Sequence, residues 1–151
     1  MKADKRIGAQ AFLTAGLGFA GGTLGTIDTQ PSAESYLRFT VTGLTGSVTS
    51  AKLRLFVTNG ATNGPLLYAT QTGWAETTIT WNARPAIVGS AIANATTVPV
   101  NAWYEFNVSA LVTGNGTYSL LLRPESSDGV VATSRQGTAA NRPQLVITTG
   151  P

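Results

Sequence analysis

With 151 residues the chain is long enough to bury one sizeable core. It has no cysteine and no histidine, which excludes disulfides, thiolate chemistry, the usual general base and the commonest metal ligand. The net charge of +3 comes without a run of like charges or a basic stretch interleaved with aromatics, so nucleic acid is not expected and only a mild preference for acidic polymers remains.

The opening, MKADKRIGAQAFLTAGLGFAGG, has a basic head and a semi-apolar body. Gln10, Thr14, Gly16 and Gly18 interrupt the body, so it reads as the start of a mature domain rather than a cleaved leader. No run of about 18 apolar residues marks a membrane span. Between Ile7 and Ile27 there is no charge, and Phe12, Leu13, Leu17, Phe19 and Leu24 make the segment apolar. It is predicted to form a core strand with glycine-rich turns. The alternative is a patch, Phe12 to Leu24, that docks a second copy or a neighbouring domain.

Further along, the dominant period is two. In YLRFTVT, Leu37, Phe39 and Val41 alternate with Tyr36, Arg38 and Thr40; in AKLRLFVT, Leu53, Leu55 and Val57 alternate with Lys52, Arg54 and Phe56. WYEFNV puts Trp103, Glu105 and Asn107 on one face and Tyr104, Phe106 and Val108 on the other. TYSLLLRP and PQLVITT read as buried strands, with shorter candidates at TLGTID, LLYATQ, AIANATTVPV and VVATS. Turn-forming stretches such as TGLTGS, TNGATNGP, TGNGT and ESSDG separate them. The one helical candidate is a single turn in NVSALVTG capped by Ser109. Without internal repeats or a linker, residues 1–151 are predicted to form a single all-β domain. It is expected to be an antiparallel β-sandwich of jelly-roll type with about nine to ten strands.

The pieces SYLRFTVTGL, VTSAKLRLFV, GWAETTITWNARPAIVGSAI, WYEFNVSALVTGNGTYSLLL and ATSRQGTAANRPQLVITT follow in an order that resembles the DNRLRE family. These are secreted β-sandwich domains overlapping a carbohydrate-binding module family found beside alginate lyases. The resemblance runs from Ser35 to Thr149, and Ala3 and Asp4 fit the family's opening. The apolar text of residues 1–34 departs from it, as does Gln136 where a glutamate is usual. The resemblance, with the hydroxyl-rich composition, implies a secreted or cell-surface location.

Within GWAETTITWNARPA, Trp81 is expected in the core, Trp74 at a rim, and Glu76 as an acceptor for turn amides. Arg84, Arg135 and Arg142 are expected to brace loops. The seven acids show no opposed pair of the kind glycoside hydrolysis requires, so no enzyme activity is expected. Calcium takes about six to eight oxygens. Asp28, Glu125 and Asp128 are the candidates for a structural calcium, although no D-x-D-x-D spacing marks a site, and no other cofactor is expected.

The sharper expectation concerns cations. If the strands holding Arg38 and Lys52 pair as a hairpin, then Tyr36, Arg38, Lys52 and Arg54 share one exposed face, which Lys5 and Arg6 extend. Arginine forks suit carboxylates, and an exposed tyrosine offers a stacking plane for a sugar. The competing reading has Arg38 and Arg54 lying over the sheet and pairing with Glu105 or Glu34. The leading function is non-catalytic binding of a polysaccharide, an acidic one such as alginate. The rival is a structural or adhesive module that self-assembles or spaces domains at the cell surface.

Overall fold

The computed structural model describes residues 3–8, 11–16, 26–28, 33–75, 77–80, 82–125 and 128–151, with side chains from Glu34 onward. Trp81, Glu76, the side chains of Lys5, Arg6, Phe12, Leu13 and Asp28, and residues 17–25 therefore lie outside what is described.

The described strands, in chain order, are β1 (Ala3–Gly8), β2 (Ala11–Gly16), β3 (Thr26–Asp28), β4 (Ala33–Val41), β5 (Ser47–Asn59), β6 (Leu66–Thr70), β7 (Ile87–Asn94), β8 (Ala102–Asn107), β9 (Gly116–Arg123), β10 (Val131–Thr133) and β11 (Gln144–Gly150). All pairings are antiparallel. One sheet runs β1-β11-β5-β10-β3, with β8 paired to the other edge of β5; the second runs β2-β4-β9-β6-β7. This is the expected β-sandwich. The N-terminal segment contributes an edge strand to each sheet, β1 to the first and β2 to the second.

Alternation is what closes the two layers. Leu37, Phe39 and Val41 of β4, Leu53, Leu55 and Val57 of β5, Leu120 and Leu122 of β9, and Leu145 and Ile147 of β11 meet in one core, each nearly or fully buried. A fully buried Leu or Phe contributes about 1.5–3 kcal/mol over an exposed one, so this zipper is the main source of stability. Phe106 and Val108 face inward and Glu105 and Asn107 outward, as their spacing predicts.

A second apolar cluster lies on the opposite surface of the β2-β4-β9-β6-β7 sheet. Tyr36 and Leu121, whose strand positions point away from the main core, are fully buried against Trp74 and Ile79 of the segment between β6 and β7. That segment roofs the sheet, which explains the unbroken Leu120-Leu121-Leu122 run: β9 is covered on both faces. Trp74 thus packs beneath a loop, 8% exposed, rather than standing at a rim.

Two local features differ from expectation. The turn after β8 does form, with Val112 N donating to Val108 O at 3.0 Å. Its first amide is satisfied by Asn107, whose Oδ1 accepts from Ser109 N at 3.0 Å, while Ser109 Oγ accepts from Ala51 N of β5. The hairpin-like text TGLTGS does not pair its two flanking strands; it carries the chain from one sheet to the other. Gly46 in this crossover has φ +83°, and a Cβ there would sit 2.0 Å from the Gly150 carbonyl oxygen, so only glycine fits.

Candidate functional site

Because β4 and β5 belong to different sheets, Tyr36 and Arg38 do not share a face with Lys52 and Arg54. Tyr36 is fully buried, so it offers no exposed stacking plane. Its hydroxyl donates to Glu34 Oε2 at 2.5 Å. Burial first, and the Glu34 bond next, push its phenol far above the ordinary value, so it stays neutral. Arg38 holds the roof down: Nη1 donates to the carbonyls of Thr72, at 3.3 Å, and Trp74, and the guanidinium lies 5.0 Å from the Trp74 ring centre. The chain's local period places Arg38 outward correctly, but the roof occupies the space beyond it.

Lys52 and Arg54 remain together on the outer surface of the β1-β11-β5-β8 region, and β8 and β11 bring them partners. The register sets Arg54 between Glu105 and Gln144, Lys52 between Asn107 and Val146, and Phe56 opposite Trp103. Arg54 Nε lies 3.0 Å from Glu105 Oε2, a charge contact without an aligned hydrogen bond, while Nη1 donates to Gln144 Oε1 at 3.4 Å. Lys52 Nζ reaches Glu105 Oε1 at 3.5 Å; both side chains are nearly half exposed. The Arg54 guanidinium sits 4.6 Å from the Trp103 ring centre, and Phe56 meets the same ring edge-on at 5.6 Å. Phe56 and Trp103 are half-buried, large rings on a face that, among the described residues, has no roof of the kind that covers the other sheet.

This face is a strip of two aromatic rings in edge contact, then a ring-bound arginine, then a lysine and carboxylate, flanked by the amides Gln144 and Asn107. Flat apolar rings beside hydrogen-bonding groups suit a ring-shaped polar ligand, which needs both a stacking surface and donors and acceptors at its rim. Arg6 is in register with Val146, and Lys5 with Ile147, so β1 continues the same sheet beyond β11. Trp103, Phe56 and Gln144 were not singled out by the sequence. Their signal was present, since alternation puts Phe56 with Arg54 and Trp103 with Glu105, but only the β5–β8 register joins the two sets.

On the roofed sheet, Glu34 is nearly buried and bridges Arg84, 3.4 Å from Oε2, and Arg123, 2.8 Å from Oε1. Arg84 is thus a loop brace, as expected of it, and Arg142 is another, its Nε donating to Gly137 O at 3.2 Å. Trp74 Nε1 donates to Ser119 Oγ at 2.7 Å, and Ser119 is bonded in turn to Thr70. Glu34 and Glu105 project from opposite sheets of the sandwich. Asp128 Oδ2 accepts from Thr62 N at 3.2 Å. Among the described residues, no three His, Cys, Asp or Glu side chains come together as a metal site, and no helix is long and apolar enough to cross a membrane.

An antiparallel sandwich with one sheet that, among the described residues, carries aromatic and ionic side chains on an uncovered outer face has the build of a β-sandwich binding module. A family model narrows this: the description "Carbohydrate-binding module family 96" matches residues 20–149, and the chain belongs to that family. The carbohydrate-binding side of the sequence resemblance is thereby borne out. A search of curated proteins found no match to the chain.

Proposed function

We propose that this protein is a non-catalytic, extracellular module that binds an acidic polysaccharide of the alginate type on the outer face of β11, β5 and β8. The reading rests above all on the Trp103–Arg54–Glu105 arrangement, in which a partly exposed indole lies beside ionic groups on the outer face of the sheet. Trp103 and Phe56 supply the stacking surface. Lys52 and Arg54 attract uronate carboxylates, while Glu105, Gln144 and Asn107 accept or donate at sugar hydroxyls. Glu105 partly offsets the two cations, which fits a ligand carrying spaced rather than dense negative charge.

Affinity electrophoresis in alginate, pectin and neutral glucan gels tests it directly. Retardation by alginate or pectin that disappears in Trp103→Ala and falls in Lys52→Ala is the expected result. Equal migration of wild type and Trp103→Ala in every gel would remove the proposal.

A structural or adhesive role is the second reading. It is favoured by β2, whose backbone forms the edge of the second sheet and can take an added strand from another copy. Concentration-dependent dimerisation in size-exclusion chromatography supports it, and a strict monomer at high concentration removes it.

A further inference from the structure

The roof of the second sheet leaves an open cleft of about 370 Å³ between its descending end and the sheet, lined by Tyr36, Asn82, Arg84, Ile87, Leu121 and Arg123 among others. A second cleft of about 330 Å³ adjoins it, and Arg84 and Pro85 line both. Volumes near 300 Å³ stand at the lower end for small-ligand sites. Among the described residues beside the cleft, two guanidiniums face one carboxylate, Glu34, so their charge exceeds its own even with both ion pairs made. The arginine side chains are 35% and 37% exposed, whereas Glu34 is 5% exposed, so solvent and ligands meet the positive partners rather than the negative one. The Glu34 bridge, the Tyr36 hydroxyl bond and the stacking of Arg123 over Tyr68 at 5.5 Å fix the two arginines in place before any ligand arrives. Preset guanidiniums recognise a planar or tetrahedral anion, such as the carboxylate or sulfate ester that a sugar carries.

We propose that this cleft is a second carbohydrate site, taking the anionic group of a sugar residue, a carboxylate or a sulfate ester, at Arg84 and Arg123. The proposal rests on the family's carbohydrate binding but not on the Trp103 face. The two sites lie on opposite sheets, so one chain would engage two saccharide strands.

The test is a nuclear magnetic resonance titration of the isotope-labelled full chain with three probes: trimannuronate, a sulfated galactose disaccharide and neutral mannotriose. Each is run on wild type, Trp103→Ala and Asn82→Glu. Asn82 is exposed and takes no part in the Glu34 bridges, so Asn82→Glu places a repelling charge at the cleft without disturbing the roof. We expect shifts at Asn82 and Ile87 with an anionic probe, retained in Trp103→Ala and weakened about tenfold or more in Asn82→Glu. Which anionic probe acts distinguishes carboxylate from sulfate. Absence of cleft shifts with both anionic probes overturns the proposal, as do equal shifts from mannotriose. Cleft shifts without changes near Trp103 sink the face on β5 and β8 alone; the converse sinks the cleft alone.

Discussion

The Trp103 ring holds the Arg54 guanidinium and the Phe56 ring within contact, so it organises its neighbours as well as offering its own surface. Central aromatic anchors commonly carry more than 2 kcal/mol of binding. Trp103→Ala is therefore expected to weaken polysaccharide binding by about thirtyfold, with little loss of thermal stability because the ring lies outside the main core. Titration against the polymer, with thermal melting as the control, checks both halves. Glu34 is the opposite kind of residue: buried, bonded to Tyr36 and paired with two arginines. Removing one partner of a buried pair costs about 3–5 kcal/mol. Arg84 and Arg123 are about a third exposed and can turn to water, so Glu34→Gln is expected to cost less than that, about 2–3 kcal/mol, in chemical denaturation. Tyr36 adds a pH dependence. Its phenol is held above the ordinary value of about 10 in the folded state, so its contribution is complete below pH 10 and is lost as pH rises past that value, where the unfolded chain sheds a proton that the folded chain keeps. Melting temperatures between pH 9 and 11 should fall more steeply for wild type than for Tyr36→Phe.

Among the described residues, the roof between β6 and β7 is held by one aromatic anchor and several polar ties. Trp74 fills the space over Tyr36, with ring centres 6.1 Å apart, and its indole N–H is satisfied by Ser119. Arg38 ties down the backbone at Thr72 and Trp74, and Arg84 reaches Glu34. Trp74→Ala should cost about 3–5 kcal/mol by denaturation and raise hydrogen exchange in Tyr36 and Leu121, which lose their cover. Such a roof was hard to read from the sequence. An isolated strand with Tyr36 and Arg38 pointing away from Leu37 and Phe39 has the pattern of a half-exposed strand, and nothing within it announces a loop folding over its outer side. The neighbouring strand did carry a hint: the three consecutive leucines of β9 leave no polar face and require cover on both sides. The alternation in β5 and β8 was fully legible, because the one-in, one-out pleat is a property of the chain itself. Their side-by-side register was not, since it depends on which long-range pairing buries the most apolar area.

Across the sandwich, charge is divided between two outer surfaces. One bears Lys52, Arg54 and Glu105, and the other bears Arg84 and Arg123 around Glu34. With a net charge of +3, association with an acidic polysaccharide should weaken as salt rises from about 50 to 500 mM, where the screening length shortens from beyond 10 Å toward a few ångströms. Binding that is indifferent to salt would point to stacking on Trp103 alone and a neutral glycan. The linear chain was sufficient to determine that this is an all-β protein, which residues of β4, β5 and β8 face the core between the sheets, and that histidine- and thiol-based chemistry is absent, because each follows from residue identity or from a period of two. It was not sufficient to determine that Arg38 and Arg54 part company. Both point outward from their strands, yet the crossover at Gly46 sends β4 and β5 into different sheets, where one arginine meets a loop and the other meets Trp103 and Glu105. Facing direction is fixed by the backbone of a single strand, whereas the neighbours a side chain meets are fixed by pairings between segments distant in the chain, and those are settled only when the whole core closes.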